Sequence, residues 1–247
     1  MKLDFECDQG SAARAALGLI VLKADETIES EYRPLFDLEG VTLHHTRIES
    51  APEVTPETLM QMKAQLTGSA ALLPGETPLD VVAYACTSGA TIIGSEAVAA
   101  AVNKVHPTAE VTNPARAVLA ALDHLEVSRV GVVSPYVAEV SEAVCTLLET
   151  GGFDPVTVGS FDQAEEAVVA RISLNSVEQA ICSVGENPEV EAVFASCTNL
   201  RTLNVIEACE DRLGKPVISS NLALAWHMMT LAGLPTAGKG PGRLFNA

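Results

Sequence analysis

Eight short apolar runs, each of strand length and separated by amphipathic helical stretches, set the tightest limit on how this chain can fold. The first four are Ala16 to Leu22, Val41 to Arg47, Asp80 to Ala85 and Glu110 to Thr112, with helical patterns near 26–36, 55–72 and 89–105. The second four are Arg129 to Ser134, Pro155 to Ser160, Glu191 to Ser196 and Pro216 to Ser219, with helical patterns near 137–150, 163–184 and 200–213. Each later run follows its counterpart by 106 to 114 positions, and Gly18 in Leu17-Gly18-Leu19-Ile20-Val21 answers Gly131 in Val130-Gly131-Val132-Val133. Apolar strands alternating with helices pair in parallel through right-handed crossovers, with helices on both sheet faces. The expected fold class is therefore α/β, with two pseudo-symmetric lobes, each an open parallel four-stranded sheet flanked by helices, and an active site in the cleft between them.

The expected lobes are residues 1–124 and 125–220. The segment 221–247, whose helical pattern Asn221 to Leu231 has no strand after it, is expected to pack back on the first lobe. Thr55-Pro56 reads as an N-cap with proline at the first helical position, while Gly151-Gly152 and Gly214 read as helix stops.

The charge balance narrows the partners. Fifteen Lys and Arg against 32 Asp and Glu give a net charge of -17, which repels a phosphate backbone and an anionic membrane surface. The start Met1-Lys2-Leu3-Asp4-Phe5-Glu6 lacks the basic and apolar parts of a signal peptide, and no apolar stretch is long enough to span a bilayer, so a cytoplasmic location is expected. Six cysteines without a C-x-x-C or a short Cys/His spacing read as reduced thiols and not as a disulfide framework or a zinc site. Gly238-x-Gly-x-Gly opens no helix, and neither a phosphate-binding Gly-Lys-Ser/Thr loop nor a Gly-x-Ser-x-Gly elbow occurs, so no cofactor and no serine hydrolase are expected.

Two of the cysteines share one setting. Cys86 and Cys197 each end an apolar run in Cys-Thr, in Ala85-Cys86-Thr87-Ser88-Gly89 and Ser196-Cys197-Thr198-Asn199. Ligands of open α/β sheets bind at the carboxyl ends of the strands, where a following helix offers free N–H groups. Both thiols are expected at such helix starts, partly ionised near neutral pH, with Thr87, Ser88, Thr198 and Asn199 as donors to a small carboxylate. One thiolate can then remove a proton beside a carboxylate while the other returns one to the opposite face. Cys7, Cys145, Cys182 and Cys209 read as structural, as do His44, His45 and His227.

At these residues the chain resembles the aspartate/glutamate racemase superfamily, and within it the branch of maleate cis-trans isomerase, arylmalonate decarboxylase and the ectoine-utilisation proteins. The resemblance rests on Gly18-Leu19-Ile20-Val21, Ala85-Cys86-Thr87-Ser88-Gly89, Val133-Ser134-Pro135-Tyr136, Ser196-Cys197-Thr198-Asn199 and Pro216-Val217-Ile218-Ser219-Ser220-Asn221, in the family's order. It implies cofactor-independent chemistry between two lobes, homo-oligomers, and a carboxylate-binding role for Tyr136. Asn221 is a further donor candidate at the last helix start, beside the reading of an ordinary N-cap. The decarboxylases resemble one-cysteine enzymes with glycine where Cys86 stands, so the second thiol favours isomerisation.

Two departures bear on the substrate. Maleate isomerases resemble one another in Pro-Ser-Ser-Asn after the first strand, whereas this chain has Leu22-Lys23-Ala24-Asp25-Glu26-Thr27. Asp25 disfavours a second substrate carboxylate and welcomes an ammonium group, unless it merely caps the next helix. Phe161-Asp162-Gln163-Ala164-Glu165-Glu166 is similarly acidic, and Asn199 stands where related racemases often carry histidine. The expected activity is a two-cysteine racemase, epimerase or isomerase of a small carboxylate, an amino acid or diamino-acid derivative. The alternatives are a maleate-type cis-trans isomerase with Cys86 as nucleophile, an arylmalonate-type decarboxylase, and a two-lobed binding protein.

Overall fold

A computed structural model describes all of residues 1–247. The first half runs β1 (Ala15–Leu22), α1 (Ile28–Leu35), β2 (Val41–Ile48), α2 (Pro56–Gln61), α3 (Leu66–Ala70), β3 (Val81–Ala85), α4 (Thr87–Ile93), α5 (Ser95–Val102), β4 (Glu110–Thr112) and α6 (Pro114–His124). The second runs β5 (Arg129–Tyr136), α7 (Ala138–Thr150), β6 (Asp154–Gln163), α8 (Glu166–Val169), α9 (Leu174–Gly185), β7 (Ala192–Ala195), α10 (Ile206–Leu213), β8 (Val217–Ser219) and α11 (Ser220–Leu231). The strands form two four-stranded sheets, ordered β2-β1-β3-β4 and β6-β5-β7-β8, and every pairing is parallel. The same order in both halves is the structural counterpart of the sequence duplication.

Inner strands carry the apolar runs because both of their faces are covered. All residues of β1, β3 and β7 are buried, whereas the edge strands β2 and β6 also carry exposed and partly buried positions. The paired glycines serve one purpose in both lobes. A Cβ at Gly18 would lie 2.7 Å from Leu73 Cδ1, and one at Gly131 would lie 2.5 Å from Val184 Cγ1. Each glycine thus lets a neighbouring side chain sit flat on the central strand.

The helices depart from the sequence expectation in instructive places. The stretch 55–72 starts at the Thr55 cap, whose side chain accepts from Thr58 N, but a 3-10 turn at Met62–Gln65 divides it into α2 and α3. The stretch 89–105 starts earlier, at Thr87, and breaks at Gly94, which adopts φ 88°. The stretch 163–184 is β6 running on to Gln163, then α8 and, from a Ser173 cap, α9. Helix α6 was not expected, although Asn113 caps it by accepting from Arg116 N and Pro114 opens it.

Ten residues of α11, Ser220 to Met229, are buried. This helix packs on α6 and also touches β3 and α1, so the last helix of the chain lies against elements of the first half. No helix is long and apolar enough to cross a membrane.

Candidate active site

Chain geometry delivers the two thiols differently. β3 ends at Ala85, and Cys86 is the extended N-cap of α4, with its Sγ accepting from Gly89 N–H at 3.2 Å. A Cβ on Gly89 would come within 2.8 Å of that sulfur and 2.5 Å of Tyr84 Oη, so glycine is what lets the amide approach. Cys197 follows β7, but no helix begins there. Thr198 to Leu200 form a bend, and α10 starts only at Ile206. The expectation of two helix starts thus holds for Cys86 and fails for Cys197, whose Sγ instead accepts from Asn199 N–H at 3.2 Å within the bend.

Both cysteines line one tight cavity of about 10 Å³ at the seam between the sheets, together with Thr87, Ser88, Tyr136, Thr198 and Glu166. Leu22, Val54 and Leu59 form its apolar side. Two backbone bonds bring these walls together, Val54 N–H to Ala164 O at 3.0 Å and Glu166 N–H to Pro52 O at 3.2 Å. Cys86 and Cys197 are 5% and 2% exposed, so both sulfurs are nearly closed off from solvent.

Glu166, which the sequence offered only as part of an acidic run, is central to this arrangement. Its Oε1 accepts from Tyr136 O–H at 2.8 Å and its Oε2 from Asn199 Nδ2 at 2.8 Å. Tyr136 Oη lies 3.1 Å from Cys197 Sγ, completing a chain from sulfur to phenol to carboxylate. Asn199 is held on its other side by Glu26 N–H, which donates to Oδ1 at 2.9 Å. The Tyr136 and Asn199 donors expected to face a substrate are therefore engaged by a carboxylate of the protein.

The other candidates fall into two groups. Thr87 Oγ1 donates to Ser220 Oγ at 2.7 Å and Thr198 Oγ1 to Ala85 O at 3.4 Å, so both hydroxyl protons tie elements together, while Ser88 lines the cavity. Asp25 sits behind the wall. Its Oδ1 accepts from Thr27 and Ile28 N–H at the start of α1, the capping role weighed for it, but its buried Oδ2 has no partner. Asn221 is neither an N-cap nor a cavity residue. Ser219 caps α11, and Asn221 Nδ2 donates to Glu31 Oε2 and Thr198 O.

Burial opposes the expected thiolates. Burial pushes the Cys86 thiol up to about 12, with the Gly89 amide opposing and the Glu166 charge reinforcing the shift. Cys197 is pushed well above the ordinary thiol range, by burial first and then by Glu166. Burial also raises Glu166, against the Asn199 and Tyr136 bonds, and lifts Asp25 to about 7 against the Ile28 and Thr27 amides. No Lys, Arg or His lines the cavity, so no positive charge offsets the loss of water. Burial thus favours the protonated form of both thiols.

Known proteins place this geometry. The family model described as arylmalonate decarboxylase matches residues 17–245. A maleate isomerase of Nocardia farcinica is 29% identical over 239 residues, covering 92% of this chain and 94% of that protein. An arylmalonate decarboxylase of Bordetella bronchiseptica is 31% identical over 137 residues, 55% of this chain and 57% of that one. Among solved structures, the maleate isomerase Iso of Pseudomonas putida S16 superposes with a TM-score of 0.86 at 25% identity, over 94% of this chain and 98% of that one. A cysteine-to-serine mutant of the Nocardia farcinica maleate cis-trans isomerase, holding a covalently bound succinylcysteine intermediate, gives 0.85 at 27% identity over the same shares. With the match running almost from end to end, this chain belongs to the arylmalonate decarboxylase family, within the racemase-like fold that its maleate isomerase relatives share.

Proposed function

We propose that this protein is a cofactor-independent two-cysteine isomerase of a small carboxylate, working by the cis-trans route. The observation that carries the reading is the pair of sulfurs lining one small cavity, Cys86 at the start of α4 and Cys197 beside Tyr136. The succinylcysteine held by a serine variant of a relative supports a division of labour in which one cysteine bonds to carbon and the other does not. Each sulfur accepts one backbone N–H at 3.2 Å, but in this chain Cys86 is the better nucleophile, because it alone caps a helix start, which favours a thiolate as it forms, while Cys197 lies on the Tyr136–Glu166 chain.

The steps follow from these positions. The Cys86 thiol gives up its proton to water, its thiolate adds to one carbon of the double bond, and the adjacent carbon takes the proton of the Cys197 thiol. The double bond is now single and rotates. Return of that proton to Cys197 and departure of the Cys86 thiolate release the other isomer. Thr87 and Ser88, whose backbone N–H groups open α4, face the cavity where a substrate carboxylate would sit.

The amino-acid racemase reading needs the same two thiols, with proton removal replacing addition. An amino-bearing substrate draws its support from Asp25 Oδ2, a buried carboxylate oxygen without a partner. Mass spectrometry of a Cys197→Ser variant incubated with small unsaturated acids separates the routes. An adduct of the acid's mass on the Cys86 peptide is expected. Deuterium entering the α-carbon of recovered amino acid, with no adduct, would transfer the case to racemisation.

A further inference from the structure

Glu166 stands in an unusual position for a site that binds carboxylates. Among the residues lining the cavity it is the only carboxylate, and no cation accompanies it there. Its two oxygens take the Tyr136 hydroxyl and the Asn199 amide, both at 2.8 Å, two of the side-chain donors on the Cys197 side. Asp25 lies behind the same wall with Oδ2 buried and unpartnered. Arg47 reaches the Asp25 carbonyl at 2.9 Å but pairs its charge with Glu29, outside the cavity.

We propose that Glu166 fills one anion seat of this site with the protein's own carboxylate, so that the substrate carries a single carboxylate and, toward Glu166, an ammonium group. This rests on the isomerase reading and names its substrate class. A dicarboxylate placed between the thiols would set its second carboxylate against Glu166 in a dry pocket, with the local donors already engaged and like charges a few Å apart. An ammonium group reverses each term. It brings three donors and one positive charge to the Glu166 carboxylate. Glu166 is thus a specificity-determining residue, and Asn199 and Tyr136 are positioning residues that hold its carboxylate toward the cavity.

The test compares two cis acids of the same carbon skeleton, maleate and cis-4-aminobut-2-enoate, in which an aminomethyl group replaces one carboxylate. Calorimetric titration of the full-length protein at neutral pH is expected to give at least about tenfold tighter binding of the amino acid, and Glu166→Gln is expected to remove or invert that ratio. Glu166→Asn serves as a second variant, and circular dichroism establishes that each is folded. Maleate binding as tightly as the amino acid to the wild type would overturn the proposal, as would a ratio unchanged in both folded variants. Turnover is read separately. Wild type that isomerises maleate and prefers it would sink the substrate class and keep the isomerase, whereas the predicted binding ratio without any isomerisation would do the opposite.

Discussion

At the scale of single residues, burial without a compensating cation governs the chemistry. Cys86, raised to about 12, is expected to react with iodoacetamide ever faster as pH rises from about 7 toward about 10, with no plateau, whereas exposed Cys7 reacts readily throughout. Peptide mass spectrometry reads both rates, and a Cys86 rate already level near neutral pH would show a standing thiolate. Asp25 gives a second handle. Its pKa is raised from 3.8 unfolded to about 7 folded, so the folded state holds its proton more tightly and stability falls as pH rises between those values. Asp25→Asn keeps an acceptor for Thr27 and Ile28 and is expected to be more stable than wild type by about 2–4 kcal/mol above about pH 8, with the gap closing below about pH 4. Urea titration at the two pH values checks this, and equal stability at the higher one would contradict it. Cys86 and Cys197 were legible in sequence because each ends a buried strand in the same dipeptide. Glu166 was not, since an acidic run after a strand reads as surface until the backbone bond to Pro52 and the Asn199 amide turn one member inward.

At the scale of elements, the strands were readable because inner strands need apolar residues on both faces, and only those runs supply them. Helix limits were less so. Gly94 and the 3-10 turn at Met62–Gln65 break patterns whose apolar spacing continues across the break. The glycines make the element packing testable. Gly131→Ala would set a methyl 2.5 Å from Val184 on the covering helix and is expected to cost about 1–3 kcal/mol. Gly68→Ala, within α3 and with nothing within 4 Å, is expected to be neutral or to stabilise by up to about 1 kcal/mol. Chemical denaturation midpoints compare the two, and equal effects would refute the close packing of α9 on β5.

At the scale of the whole molecule, the two sheets meet through buried polar contacts clustered around the cavity. Thr87 bonds Ser220, Asn199 receives Glu26 N–H, and Glu31 accepts from Thr202 and Leu203 N–H and from Asn221. The cavity seam and the joint between halves are therefore one structure, as the sequence expectation of a cleft between two lobes at Cys86 and Cys197 had it. A net charge of -17 acts on the entire fold, and screening that self-repulsion is expected to raise the melting temperature between low and moderate salt. A melting temperature that falls over that range would mean attractive pairs dominate. The most direct test of the account is kinetic. Once any small acid is found to be isomerised, the rates of Cys86→Ala and Cys197→Ala are measured against wild type under the same conditions. Loss of about a thousandfold or more in each single variant is predicted, because both sulfurs act on one molecule, and wild-type turnover by either variant would contradict it.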